Sequence, residues 1–233
     1  MKQIVSVSLA LAVCAVIAAA PASAGNIVGK VTYAGNPPPA KPIVVTKDKE
    51  VCSREQHADE SLVVAADKSI ANVVVFIKDA PGAPKMAVPA KNPELDQKSC
   101  KFHPHVQLIP AGGTLDVLNN DGILHNIHTY PKNNTPVNQA QPKFKTRMPL
   151  KFDKPDTVKL QCDVHTWMNG WLIVAPHAWY AVTAADGSFK LPDVKPGSYT
   201  VSYWQETLGT QTAQVTVPAS GDATANFTFP EKK

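Results

Sequence analysis

The chain has 233 residues, of which 44% are hydrophobic and 18% charged, with a formal net charge of +4. That length suits one large or two small domains whose core needs no disulfide to hold it. So small and unclustered a charge argues against nucleic acid or an anionic membrane as the main partner. The 21 Pro and 12 Gly, with few charges, favour strands and turns over helices.

The first segment reads as an address and not as fold. Lys2 is positive, Ile4 to Ala20 is small and apolar, and Ala22-Ser23-Ala24 is an A-x-A cleavage pattern. Residues 1–24 are therefore expected to be a signal peptide, with an uncleaved anchor as the alternative. No later run is long and apolar enough to span a bilayer, so no membrane span is expected after cleavage. A periplasmic or secreted protein follows.

Beyond it, short apolar or alternating runs recur between turn signals, the pattern of an all-β sandwich or barrel. Ile27 to Tyr33 reads as a strand, ended by Gly35-Asn36-Pro37-Pro38-Pro39. Asn72 to Ile77 is a β-branched run suited to a buried strand. Asp79 to Asp96, rich in Pro, Ala and Lys, reads as a loop. His105 to Ile109 and Thr114 to Leu118 flank the turn Pro110 to Gly113. Pro131 to Lys145 is polar and reads as a second soft region. Asp156 to Cys162 and Gly170 to Val174 form the next pair. Ala181 to Ala184 and Ser188 to Leu191 flank Asp186-Gly187, a hairpin signal. Ser198 to Trp204, Gln211 to Val217 and Ala225 to Phe229 complete the series.

Cys14 belongs to the leader, leaving Cys52, Cys100 and Cys162. In an oxidising compartment two of three are expected to pair. Cys162 stands among metal-ligand types, so a Cys52–Cys100 disulfide is expected. The competing reading is a second metal site drawing on Cys52 and His57, or on Cys100, His103 and His105.

The sharpest feature is Cys162-Asp163-Val164-His165-Thr166-Trp167-Met168, with a thiolate, an imidazole and a thioether at C-x2-H-x2-M spacing. Val158, Leu160 and Cys162 alternate with Lys159 and Gln161, which turns Cys162 to the apolar face. The loop can then bring His165 and Met168 to the same point. Soft sulfur with imidazole suits copper, and two His, one Cys and a weak axial Met make a blue-copper set. Zinc is the alternative, with Met168 idle. The second imidazole comes from Asn119 to His128. His125 and His128 lie three apart, on opposite faces of a strand.

These two segments resemble the copper-binding signatures of cupredoxins, the plastocyanin- and amicyanin-like proteins, in which an Asn precedes His-Asn-Val-His and Cys-x-x-His-x-x-Met-x-Gly follows. The resemblance implies that His125, and not His128, is a ligand with Cys162, His165 and Met168. It implies that Asn126 fixes the loops around the metal and that the edge of His165 faces a redox partner. Phe102 to Asn120 resembles the strand pair before the first ligand. Ala181 to Trp204, with its Asp-Gly hairpin and Pro196-Gly197-Ser198-Tyr199, resembles carboxypeptidase regulatory-like sandwiches of the transthyretin type. The opening of that module has its counterpart in Gly29-Lys30-Val31 and the prolines after it.

The expected organisation is all-β: residues 25–70 as N-terminal strands joining the C-terminal sandwich, 71–176 as a cupredoxin-like Greek-key sandwich holding one copper ion, and 178–233 as a transthyretin-like sandwich. The expected role is one-electron transfer with a cytochrome or dehydrogenase. Copper storage or delivery, or an interaction module with a structural or degenerate metal site, are the alternatives. A fully ligated ion leaves no open position for substrate, so no enzymatic activity is expected. The remaining histidines, His57, His103, His105 and His177, are expected at strand ends, caps or the surface.

Overall fold

The computed structural model describes residues 23–39 and 41–232. The expected signal peptide lies outside them, save for its last two residues. Among the described residues no helix is long and apolar enough to cross a membrane. The fold is all-β.

The strands in chain order are β1 (Gly25–Tyr33), β2 (Val74–Ile77), β3 (Glu94–Lys98), β4 (Lys101–His103), β5 (Val106–Pro110) and β6 (Gly113–Asn119). They continue with β7 (His125–Tyr130), β8 (Asn138–Gln141), β9 (Arg147–Phe152), β10 (Asp156–Gln161), β11 (Asn169–Ala175) and β12 (Tyr180–Val182). Last come β13 (Ser188–Val194), β14 (Gly197–Gln205), β15 (Gly209–Val217), β16 (Ala223–Thr224) and β17 (Phe227–Phe229). One short helix, α1 (Lys49–Cys52), lies between β1 and β2.

Two pairs of sheets bury two cores. In the first pair, the sheet ordered β5-β11-β10-β7-β8 faces the sheet ordered β4-β3-β6-β9. β5 runs parallel to β11 and β3 parallel to β6, so sheet neighbours are not chain neighbours. Alternation decides which side chains go in. Val158 and Leu160 on β10, Ile127 on β7 and Leu172 and Val174 on β11 meet Leu95 on β3, Leu115 and Val117 on β6 and Met148 on β9.

In the second pair, β1 is central. It pairs antiparallel with β13 and parallel with β16 and β17. This sheet faces the sheet ordered β12-β2-β14-β15, and Ile27, Val31 and Leu191 pack against Val75, Ile77, Val201 and Tyr203.

β2 differs from the sequence expectation. It falls inside the stretch assigned to the copper-binding sandwich, yet it pairs with β12 and β14 of the other. A β-branched run shows that a strand is buried but not which strand it joins. Val73, Val75 and Ile77 point into the second core. Val74, on the opposite face, meets Val106 and Ile173 of the first pair, flanked by Phe76, Trp171, Tyr180 and Trp204. The outer faces of two sheets therefore form a third apolar layer joining the sandwiches.

Two soft regions also hold strands. β3 begins at the end of the expected 79–96 loop, and β8 lies within the polar 131–145 stretch. Both are short, and β8 has three exposed residues out of four, so neither shows apolar alternation.

Candidate metal centre

β10 delivers Cys162 to the core as its alternation requires: Val158 and Leu160 are fully buried and Cys162 is 2% exposed. The loop after it closes on itself. The Cys162 N–H donates to the Met168 carbonyl at 3.1 Å, and the Met168 N–H donates to the His165 carbonyl at 2.9 Å. Gly170 then leads the chain away. A Cβ there would come within 2.8 Å of the His105 carbonyl, so the exit of the loop has room only for glycine.

β7 supplies His125 from its first position. The two histidines of His125-Asn126-Ile127-His128 part as a strand requires. His125 is fully buried, whereas the His128 ring lies at the surface beside Asp163 and Tyr130.

Three ligand-type groups converge. The Nδ1 atoms of His125 and His165 face each other at 3.0 Å, and Cys162 Sγ lies 4.0 Å from His165 Nδ1. Met168, 1% exposed, lies in the same apolar cluster as Cys162. Asn126 braces the loop, its side-chain oxygen accepting the Asp163 N–H at 2.5 Å and the Val164 N–H at 3.4 Å.

Each imidazole is held from behind by a carboxylate. Asp121 Oδ2 lies 2.8 Å from His125 Nε2, and Asp48 Oδ2 lies 2.8 Å from His165 Nε2. Asp121 is itself fixed by the Ser99 and Cys100 N–H groups at 2.6 and 2.8 Å. A carboxylate only accepts, so Nε2 carries the proton in both rings and Nδ1 turns to the centre.

The electrostatics follow from this crowding. Burial pushes the Cys162 thiol up, but hydrogen bonds to His125 and His165 outweigh it and bring it down to about 6. Burial opposes charge on His125, yet Asp121 and Cys162 overcome it and raise its pKa. Burial likewise works against the Asp121 anion, and the bonds from His125, Cys100 and Ser99 lower its pKa all the same.

Asp48 comes from a part of the chain the sequence left without a role. Residues 41–59 form a strap over the site, closed by paired backbone bonds between Ile43 and His57 and between Lys41 and Asp59. Asp48 sits at φ 48°, in the left-handed region that Asp tolerates, and its carbonyl accepts the N–H groups of Val51 and Cys52. A disulfide joins Cys52 to Cys100 and anchors the strap to the sandwich. Trp167 donates its indole N–H to the Cys100 carbonyl at 3.1 Å and packs against the His165 ring.

The strap corrects one expectation. The edge of His165 does not face solvent: the residue is 0% exposed, and its outer nitrogen is bonded to Asp48. The other histidines also have defined posts. His57 is buried with Nε2 against the Cys52 carbonyl, and the Trp179 N–H donates to His177 Nδ1. His105, also buried, pairs with Glu206 across the two sandwiches.

Comparison with known proteins gives two partial likenesses. Residues 157–225 match the family described as polysaccharide lyase family 4, domain II. Two curated relatives are a probable rhamnogalacturonate lyase A of Aspergillus terreus and the rhamnogalacturonate lyase A of Aspergillus aculeatus, 39% and 38% identical over 61 residues. Those residues are 26% of this chain and 11% of either relative. Among solved structures, amicyanin from Paracoccus versutus is similar over 43% of this chain and 97% of its own, with 19% identity and a TM-score of 0.33. A purple cupredoxin from Nitrosopumilus maritimus is similar over 36% of this chain and all of its own, with 21% identity and a TM-score of 0.31.

The lyase match overturns the expectation that enzymatic activity can be set aside. That expectation was argued mainly from the filled ligand set of His125, Cys162, His165 and Met168, whereas the match takes in the Cys162 to Met168 loop and lies mostly beyond it, on the strands that follow β11. A ligand count at one site says nothing about chemistry on another part of the chain.

Proposed function

We propose that this chain is a cupredoxin-like copper protein of the periplasm or cell exterior, with one mononuclear ion held by His125, Cys162, His165 and Met168. The observation that carries the reading is the approach of two imidazole Nδ1 atoms to 3.0 Å beside the Cys162 sulfur. With their Nε2 protons committed to Asp48 and Asp121, both rings turn lone pairs toward each other, and such a pair needs positive charge between them. A proton can bridge two donors, whereas a metal ion satisfies all three at once. Two imidazoles, a thiolate of lowered pKa and a nearby thioether form a donor set that suits copper. Bound copper supplies a one-electron couple. The chain contributes fixed ligands, a brace at Asn126 and a shell that excludes water.

In this reading residues 1–24 direct export. The metal sandwich runs from β3 to β11 with the strap laid over it, and β1, β2 and β12 to β17 make the second sandwich. The role favoured is one-electron exchange with a redox protein such as a cytochrome or dehydrogenase. Storage or delivery of copper is the alternative, favoured by the closed His165 edge. Stoichiometric copper should give an intense visible thiolate-to-copper band, absent in Cys162→Ser. A loaded protein without that band would rule out the blue-copper reading. Rapid loss of copper to a chelator would favour delivery over electron transfer.

A second reading rests on the match over residues 157–225. The C-terminal sandwich would then serve a lyase acting on an acidic polysaccharide. Incubation with rhamnogalacturonan, followed by the ultraviolet absorbance of unsaturated uronate ends, tests it. The absence of both product and retention on the polysaccharide would sink it.

A further inference from the structure

We propose that Asp48 and Asp121 are positioning residues of the metal centre, which aim the two imidazoles and bias a bound copper ion toward its cupric state. This rests on the copper reading given above.

The case begins with how much of the chain is committed to two carboxylates. Asp121 lies in the turn between β6 and β7, four residues before His125. It accepts three hydrogen bonds, from His125 Nε2 and from the Ser99 and Cys100 N–H groups. Ser99 and Cys100 both lie at positive φ, 52° and 54°, and this unusual turn aims two consecutive N–H groups at one side chain. Asp48 is brought from 117 residues away, on a strap that the Cys52–Cys100 disulfide ties down. It too adopts positive φ. Left-handed backbone at non-glycine residues is costly and persists where surrounding structure enforces it. Here it recurs in the two segments that carry or fix the carboxylates.

The geometry defines what each carboxylate does. An imidazole held at Nε2 cannot rotate away or switch tautomer without losing a buried charge-assisted bond. Its Nδ1 lone pair is therefore aimed before any metal arrives. Both side chains are also anionic acceptors within one ring of the ion. Nearby negative charge favours the more highly charged oxidation state, and burial keeps solvent from screening it. The Asp121 side chain is 5% exposed and that of Asp48 30%, so Asp121 should have the larger effect.

The test separates charge from aim. Asp48→Asn and Asp121→Asn keep an acceptor oxygen and remove the charge, whereas Asp48→Ala removes both. Cupric and cuprous affinities are measured by chelator competition, and the reduction potential by redox titration of the loaded protein. Each Asn variant is expected to shift the cuprous-to-cupric affinity ratio about tenfold toward cuprous, which is about +59 mV for one electron. Asp48→Ala is expected to lose about tenfold or more in cupric affinity as well. If Asp121→Asn fails to fold, Asp48→Asn on the exposed strap carries the test alone. A fully loaded Asp48→Asn protein within twofold of the parent in both affinities would overturn the proposal. A parent that fails to bind copper at one ion per chain would overturn the copper reading, and this proposal with it.

Discussion

Glu206 reaches across from the turn after β14 to Trp171 on β11, whose indole N–H donates to Glu206 Oε2 at 2.8 Å. The same carboxylate pairs with His105, just before β5. One side chain of the second sandwich thus satisfies two polar groups of the first, the buried His105 and the half-buried Trp171, at the margin of the apolar layer where Trp171 also packs edge-on against Trp204.

Glu206→Ala should therefore cost more than a surface charge does. It leaves His105 and the Trp171 N–H without an acceptor, a loss on the order of 1–3 kcal/mol. Calorimetry should show a lower Tm, with the two sandwiches beginning to unfold separately. A Tm within a degree or so of the parent would show that the pairing contributes nothing.

The disulfide should matter to stability independently of the metal. It closes a loop with a sequence separation of 48. The loop-entropy account gives about 4 kcal/mol for that length. The Cys52→Ser, Cys100→Ser double variant should shift the urea midpoint by a corresponding amount. An unchanged midpoint would mean that the strap is held by its packing alone.

Asp156 should govern part of the acid limb of stability. Its burial works against ionisation, but hydrogen bonds from the Asn133, Asn134 and Thr157 backbones and the Asn134 side chain prevail, and its pKa lies below the usual carboxylate value. A carboxyl with a depressed folded pKa contributes stability that is present above its unfolded value. That contribution is lost as pH falls through the folded one. Unfolding free energies of the parent and Asp156→Asn should therefore differ at neutral pH, and the gap should close below the ordinary Asp pKa of about 3.9. A gap that stays constant down to pH 2 would contradict this assignment.

Asn126→Ala should loosen the loop without removing a ligand. The N–H groups of Asp163 and Val164 lose their acceptor. If the proposed copper reading holds, the ion should leave about tenfold faster, in line with supporting residues at metal sites generally. The change should appear as a faster off-rate to a chelator, with the absorption band retained. An unchanged off-rate would show that the brace is dispensable.

Legibility in the sequence followed the range of the interactions. The inward turn of Cys162 was readable because Val158 and Leu160 share its face over five residues. The parting of His125 and His128 was readable from strand geometry. Asp121 stood in view, but its role depends on the Ser99–Cys100 turn more than twenty residues earlier. Asp48 carried no local signal, since what gives it meaning is His165, 117 residues on. The covered edge of His165 escaped for the same reason. The partner of β2 escaped because both its faces are apolar, which suits a central position in either sandwich. β8 escaped because a polar edge strand is held by backbone pairing with β7 and not by pattern.

The central position of β1 has a consequence for the order in which the molecule can be assembled. Asn26 meets Asp222 across 196 residues, and β1 cannot complete its sheet until β16 and β17 have emerged. A chain delivered from its N-terminus therefore presents first the strand that must find its partners last. The first sandwich, from β3 to β11, lies continuous between those ends and can close while β1 waits. Long-range pairing of this kind is slow and leaves an apolar edge open in the interval. β1, the first strand among the described residues, is thus the one most in need of protection until β16 and β17 have followed it.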